Sequence, residues 1–126
     1  MKIFIVSLFL LSMLIAGVFY TQHKMADEIK KQEVMVSELY NTISSGNWEK
    51  SAILAGELEK EIKSKTFFYG LFVEHIDYDN LLTNTAQGME FVYNKAKSDS
   101  LSQCKILLTL LEHMKDKSAI TWENLL

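Results

Sequence analysis

The chain has 126 residues, of which 48% are hydrophobic and 23% charged, and its formal net charge is −3. This length accommodates one small domain with an appendage and excludes a multidomain enzyme. Proline is absent and glycine occurs five times, which disfavours β folds rich in tight turns. All 13 basic residues are lysine, whereas nucleic-acid recognition favours arginine. We therefore expect an all-α protein without a nucleic-acid partner.

The first predicted element is a membrane anchor. Residues 3–20 read IFIVSLFLLSMLIAGVFY and carry no charge. As a helix they span about 27 Å, close to the roughly 30 Å hydrocarbon core of a bilayer. Ser7 and Ser12 can return their hydroxyls to their own helix. We assign residues 1–22 to a transmembrane anchor that contacts the lipid bilayer through residues 3–20.

A cleavable signal peptide is the alternative for this segment, because Lys2 precedes an apolar core. The best cleavage position, after Gly17, has the bulky Ile15 at minus three, which favours an uncleaved signal-anchor. The positive-inside rule slightly favours a cytoplasmic bundle, since three lysines follow the anchor within residues 24–31 and one, Lys2, precedes it. A two-residue tail before an apolar run usually leads to export of the downstream domain. We therefore expect a single-pass cell-membrane protein whose C-terminal domain is extracytoplasmic.

Four helices are predicted after the anchor, over residues 25–43, from Trp48 onward, and over residues 78–97 and 101–117. The first is defined by an inner stripe of residues spaced three or four apart. Gly46 is suited to the left-handed position at the end of the first helix, and Asn47 is suited to the N-cap of the second. Ser98–Ser100 are predicted to form the other turn at the distal end of the bundle, the end far from the anchor. Lys115 and Lys117 are expected at the last helix end, where cations complement the helix dipole. The inner stripe of the first helix is Met25, Ile29, Gln32, Val36, Leu39 and Ile43.

These helices predict the architecture of residues 23–126, a small antiparallel bundle of two αα-hairpins with a short C-terminal turn from Trp122 to Leu126, capped by Thr121. Cys104 falls on the inner stripe of the fourth helix, where we expect a buried thiol. Short turns force antiparallel neighbours, so the second helix returns toward the anchor. The polar corner Glu74–Asn80 is then expected near the bilayer.

Three short segments resemble a known family. They are residues 47–52 (NWEKSA), residues 71–80 (LFVEHIDYDN) and residues 120–126 (ITWENLL), together with the N-terminal anchor. The sequence resembles the family catalogued as domain of unknown function 4363, small membrane-anchored helical proteins of Gram-positive, clostridia-like bacteria. The resemblance implies a Gram-positive cell-surface setting and identifies neither a substrate nor a reaction.

The aromatic run Phe67–Phe72 has two interpretations. It is unusually apolar for an amphipathic helix, so it could form an exposed docking patch or dip into the outer leaflet. We favour the bundle core for it. If the run docks a partner, the candidate partner-binding residues are Phe67, Phe68, Phe72, His75 and Asp77.

One group of side chains has metal-ligand chemistry. Glu74, His75, Asp77 and Asp79 together offer three carboxylates and an imidazole, which suit calcium, manganese or zinc. We favour a structural interpretation, in which Asp77 caps the third helix and its neighbours complement the helix N-terminus. The spacing matches neither an EF-hand nor a His-x-x-x-His pair. We assign no metal, cofactor or catalytic residue.

The sequence favours a non-enzymatic, membrane-tethered module that docks a protein in or on the membrane. An extracytoplasmic bundle that senses a divalent cation or small ligand is the alternative. A small hydrolase dependent on His75 is the third possibility, and no second carboxylate or nucleophile is placed to support it.

Overall fold

A computed structural model describes the backbone of residues 1–125 and the side chains of residues 1–117. All of its secondary-structure elements are helices, as the composition predicted. The bundle contains one element more than expected, because a short helix lies between the two predicted hairpins. The helices are α1 (Lys2–Ser44), α2 (Trp48–Ser64), α3 (Thr66–Phe72), α4 (His75–Tyr93) and α5 (Lys97–Leu125).

The first helix joins the apolar segment to the bundle without a break. Its 43 residues are about 65 Å long. The apolar half contains an 18-residue window of mean hydropathy 2.5, none of it buried, so α1 is long and apolar enough to cross a membrane. Ser7 donates to the carbonyl of Ile3 at 2.8 Å and Ser12 to that of Leu8 at 2.9 Å, as predicted. In the second half the whole predicted inner stripe is buried.

The four long helices form a ring. α1 packs against α2 and α5, and α4 packs against the same two helices from the other side. Each helix contributes a buried stripe spaced by three or four residues, which is the pattern that an antiparallel bundle requires. Cys104 is buried on α5, as expected. The largest fully buried aliphatic side chains are Ile29, Ile43, Leu58, Ile62, Leu81, Leu107 and Leu111.

The first distal turn agrees with the sequence prediction. Gly46 has a φ of +78°, a left-handed conformation that side chains with a Cβ adopt at a cost. The Asn47 side chain accepts a hydrogen bond from the backbone N–H of Lys50 at 3.1 Å, which caps α2. These two residues reverse the chain and direct α2 back along α1.

The second distal turn lies earlier than predicted. α4 ends at Tyr93, and Lys95 adopts a φ of +56° that closes the turn. Ser98–Ser100, predicted as the turn, form the first part of α5 instead. No sequence pattern indicates this position, because lysine seldom adopts the left-handed conformation.

Both ends of the second hairpin differ from the prediction. α4 begins at His75, three residues before the expected start, and Glu74 occupies the N-cap position without a side-chain cap. Asp77 therefore lies in the first turn of α4, and its assignment as the N-cap was wrong. α5 continues past Lys115 and Lys117 to Leu125, so neither lysine is at its end. The closing turn expected at Thr121 is likewise helical in the backbone, and the side chains of Trp122–Leu126 lie outside the described residues.

Candidate functional site

The corner between α2 and α4 contains most of the residues singled out from the sequence. α2 ends at Ser64, the chain bends at Lys65, and α3 follows as two short turns that pack against α2 and α4. The Lys65 backbone N–H donates to the carbonyl of Ile62 at 3.2 Å. We call residues 65–79 the α3 corner.

A buried tyrosine holds α3 in place. The Tyr69 side chain is fully buried, and its hydroxyl donates to Oε1 of Gln32 on α1 at 2.8 Å. Its ring lies 5.5 Å from that of Tyr78, whose hydroxyl donates to the carbonyl of Ile62 at 3.0 Å. These contacts connect α3 to α1 and connect the start of α4 to the end of α2.

The role of Tyr69 was not predicted from the sequence, although one signal was available. Gln32 occupies a position on the otherwise apolar stripe of α1, and a buried amide needs a hydrogen-bond partner. Tyr69 is the residue that supplies it. Its partner lies 37 residues away in sequence, so spacing alone could not identify the pair.

Charged groups surround the buried phenol. Nζ of Lys65 lies 3.3 Å from Oε1 of Glu28, and Nζ of Lys31 lies 3.2 Å from Oε1 of Glu61. Burial, followed by the nearby carboxylate of Glu28, raises the pKa of Tyr69 far above its ordinary value, and the hydrogen bond with Gln32 opposes this only in part. The phenol is therefore neutral and acts as a structural donor.

The aromatic run contributes less to the core than predicted. The side chain of Phe67 is 79% exposed, that of Leu71 61% and that of Phe72 47%. Only Tyr69 is buried, and Phe68 packs partly against the core. A helix of seven residues can turn only one side toward the bundle, so its other side carries apolar groups into the surroundings. The first turn of α4 adds Ile76, which is 64% exposed.

An apolar groove separates α3 from the N-terminal half of α1. Its volume is about 820 Å³, and Leu71 and Phe72 face Leu14 and Val18 across it. Thr21 also lines the groove, but its hydroxyl donates to the carbonyl of Gly17 at 2.8 Å. Beside it, Nζ of Lys24 lies 5.8 Å from the ring centroid of Phe68. We call this space the α1–α3 groove.

Two of the four cation-ligand candidates are bound to a lysine. Nζ of Lys117 lies 2.9 Å from Oε2 of Glu74 and 3.2 Å from Oδ2 of Asp77. Hydrogen bonds to these two carboxylates raise the pKa of Lys117. His75 and Asp79 are exposed. Within the residues that the structure describes, no three His, Cys, Asp or Glu side chains converge as metal ligands would.

The five partner-binding candidates divide into two groups. Phe67, Phe72 and His75 are exposed and accessible, although Phe72 lines the α1–α3 groove. Phe68 is half-buried against the core, and Asp77 is half-buried beside Lys117. Two further exposed apolar residues of this corner, Leu71 and Ile76, were not among the predicted candidates.

Comparison with known families supports the resemblance seen in the sequence. The family model for the domain of unknown function DUF4363 matches residues 19–125. The chain belongs to the DUF4363 family. A search of curated proteins and a search of solved structures found no match. The DUF4363 region covers the whole bundle and the α3 corner, whereas most of the apolar half of α1 precedes it. The α1–α3 groove therefore lies across the start of the DUF4363 region, with Leu71 and Phe72 inside it and Leu14 outside.

Proposed function

We propose that this DUF4363 chain is a membrane-anchored, non-enzymatic interaction module on the cell surface of a Gram-positive bacterium. In this proposal residues 3–20 cross the cell membrane and the bundle lies outside the cytoplasm. The α3 corner docks another membrane or cell-surface protein through an apolar surface of that partner.

A single observation carries the proposal. Large apolar side chains are exposed at the end of the bundle next to the apolar half of α1. Complete burial of one such side chain contributes about 1.5–3 kcal/mol. A cluster of this kind on a small domain usually marks an interaction surface. Its place beside the apolar helix supports a partner that reaches the membrane.

The continuity of α1 supports the same conclusion. Because one unbroken helix enters the bundle, the α3 corner is held at a fixed level, alongside Lys24 and a few residues beyond the apolar segment. Among the exposed residues, Phe67, His75 and Ile76 lie outside the lining of the α1–α3 groove, and we assign the docking surface to them.

Photo-crosslinking in intact cells tests the docking surface. A photoreactive phenylalanine analogue at Phe67 or Ile76 is expected to give one discrete adduct with the same membrane or cell-surface protein. The matched control is position 53 on α2, because Ile53 is 58% exposed and lies outside the corner. Equal adducts from all three positions, or adducts between copies of this chain, would contradict the proposed partner.

Two further measurements test whether the N-terminal segment is retained and on which side of the membrane the bundle lies. Intact-mass analysis of the purified protein is expected to retain residues 1–20, and protease added to intact cells is expected to digest the bundle. A mature protein that begins after position 20 would rule out the anchor, whereas a protected bundle in intact cells would place it in the cytoplasm. The cation-sensing alternative lacks a supporting observation, because Lys117 already binds Glu74 and Asp77.

A further inference from the structure

The α1–α3 groove lies beside the part of α1 that is assigned to the membrane. This inference rests on the proposed crossing by residues 3–20. Leu14 lies six residues before Tyr20, which places it about 9 Å inside the apolar segment along the helix axis. Leu71 and Phe72 face this segment across the groove. The part of the groove beside residues 10–18 is then surrounded by hydrocarbon, whereas Thr21, Gln22 and Met25 line the part beyond the apolar segment.

The chemistry of the groove suits an aliphatic occupant. Its walls are mainly leucine, methionine, valine and phenylalanine side chains. Its two polar residues, Thr21 and Gln22, both follow the apolar segment, and the Thr21 hydroxyl donates to the Gly17 carbonyl. The part of the groove beside residues 10–18 therefore presents no hydroxyl or amide side chain to a neighbouring helix. Partner helices in membranes are commonly recognised through such hydroxyl and amide groups. The volume of about 820 Å³ is within the usual range of sites that bind small apolar molecules.

The construction of α3 suits contact with lipid. Its backbone is helical, and the N–H groups of Tyr69 and Val73 donate to the carbonyls of Lys65 and Tyr69, each at 2.8 Å. The remaining carbonyls of its last turn have no partner within so short a helix, which suits the hydrated interface rather than the hydrocarbon. The Tyr69–Gln32 hydrogen bond holds the inner side of α3 against the bundle, so Leu71 is left facing outward. Lys24 lies just beyond the apolar segment, at the level where a cationic side chain meets lipid headgroups.

We propose that acyl chains of the leaflet nearer the bundle fill the α1–α3 groove, so that α3 lies in the lipid interface as a second membrane contact. The bundle is then supported by the membrane at two places, α1 and α3. This arrangement fixes its rotation about the α1 axis and holds Phe67 and Ile76 at a constant level relative to the bilayer.

Spin-label accessibility tests this inference on the full-length chain. The protein carries one cysteine, so Cys104→Ala provides a background for single labels at Leu71→Cys, Phe72→Cys, Leu14→Cys or Ile53→Cys. Each variant is reconstituted in nanodiscs of phosphatidylcholine and phosphatidylglycerol, and its helix content is verified by circular dichroism. Collisions of the label with oxygen, which concentrates in lipid, are compared with collisions with a water-soluble nickel complex.

The labels at positions 71 and 72 are expected to follow the label at position 14, with oxygen collisions exceeding nickel collisions. The label at position 53 is expected to show the reverse. Nickel-accessible labels at 71 and 72, with position 14 still in lipid, would overturn the inference and leave the anchor intact. A nickel-accessible label at position 14 would overturn the proposed anchor itself. Spin–spin broadening at position 71 that disappears on dilution with unlabelled protein would assign the groove to a second copy of this chain.

Discussion

At the scale of single residues, the pairing of Gln32 with Tyr69 determines how α3 is held. Both side chains are fully buried, and the phenol donates to Oε1 of the amide. Within the described residues, Nε2 of Gln32 has no hydrogen-bond partner. The amide therefore depends on Tyr69 for its contact with the bundle.

Tyr69→Phe is expected to destabilise the bundle. The substitution removes the donor to Gln32 and leaves the whole buried amide unpaired, which costs about 1–3 kcal/mol. Thermal unfolding of the full-length protein in mild detergent, followed by circular dichroism, measures the loss.

Two further variants test whether the lost hydrogen bond causes the destabilisation. Adding Gln32→Met to Tyr69→Phe removes both polar partners and is expected to recover part of the lost stability. Tyr93→Phe is the matched control, because Tyr93 is exposed and its substitution should leave the midpoint nearly unchanged. A double variant no more stable than Tyr69→Phe alone would show that the hydrogen bond is not the cause.

At the scale of elements, the chain reversals between helices depend on backbone conformation. Gly46 closes the first distal turn at a φ of +78°, and Lys95 closes the second at +56°. The first was predictable because glycine followed by a capping asparagine is a typical helix end and start. The second was not, because no glycine or asparagine occupies the left-handed position.

Gly46→Ala is expected to destabilise the protein by about 1 kcal/mol, because alanine resists the left-handed conformation. Gly56→Ala is the control within α2, where an added Cβ meets no atom within 4 Å. It is expected to stabilise the protein by about 0.5–1 kcal/mol through helix propensity. Denaturant midpoints of the two variants should therefore move in opposite directions. A loss of stability at both positions would contradict the assigned conformations.

Lys95→Gly is expected to stabilise the protein by up to about 1 kcal/mol, because glycine adopts the conformation of Lys95 without strain. Lys95→Ala removes the same charge and keeps a Cβ at the left-handed position, so it serves as the control. Chemical denaturation of both variants gives the comparison. Equal shifts would attribute the effect to lost charge rather than to the turn.

The long helices were more predictable from the sequence than the corner was. The stripe from Met25 to Ile43 follows from helical periodicity, and so does the burial of Cys104. The bend at Lys65 does not, since it carries neither glycine nor proline and is stabilised by long-range contacts, the Lys65–Glu28 ion pair and the hydrogen bond from Tyr78 to Ile62. If the bend is not anticipated, the apolar pattern of residues 67–72 predicts a segment of the bundle core. The exposure of Phe67 and Leu71 follows from how Tyr69 is anchored, which no local pattern encodes.

At the scale of the whole molecule, the two ends of the bundle differ in chemistry. The distal end is closed by tight turns over an aliphatic core, whereas the end with the α3 corner combines a buried phenol, several ion pairs and exposed apolar residues. The sequence predicted that α2 would bring the corner back beside α1, and the shared groove of Leu71 and Val18 agrees with this geometry. In the two proposals made above, this end contacts lipid and protein together.

At alkaline pH, the stability of the whole bundle depends on two buried acids, Cys104 and Tyr69. Burial raises the pKa of Cys104 to about 11, and burial with Glu28 raises that of Tyr69 further. Both groups stay protonated in the fold at a pH where the unfolded chain has released their protons. Their contribution to stability is complete below the unfolded pKa values, 9.0 for the thiol and 10.0 for the phenol. It is lost as the pH rises through the folded values.

We therefore expect the unfolding midpoint in mild detergent to be steady from pH 7 to about 9 and to fall progressively above pH 9. Cys104→Ala should flatten the first part of this fall and Tyr69→Phe the part above pH 10, whereas Tyr93→Phe should leave the curve unchanged. Lys117 adds to the decline in the same direction, because its raised pKa means that the fold favours its charged form. If the variants at Cys104 and Tyr69 followed the wild-type curve throughout, alkaline unfolding would instead arise from general surface repulsion, and neither buried acid would control it.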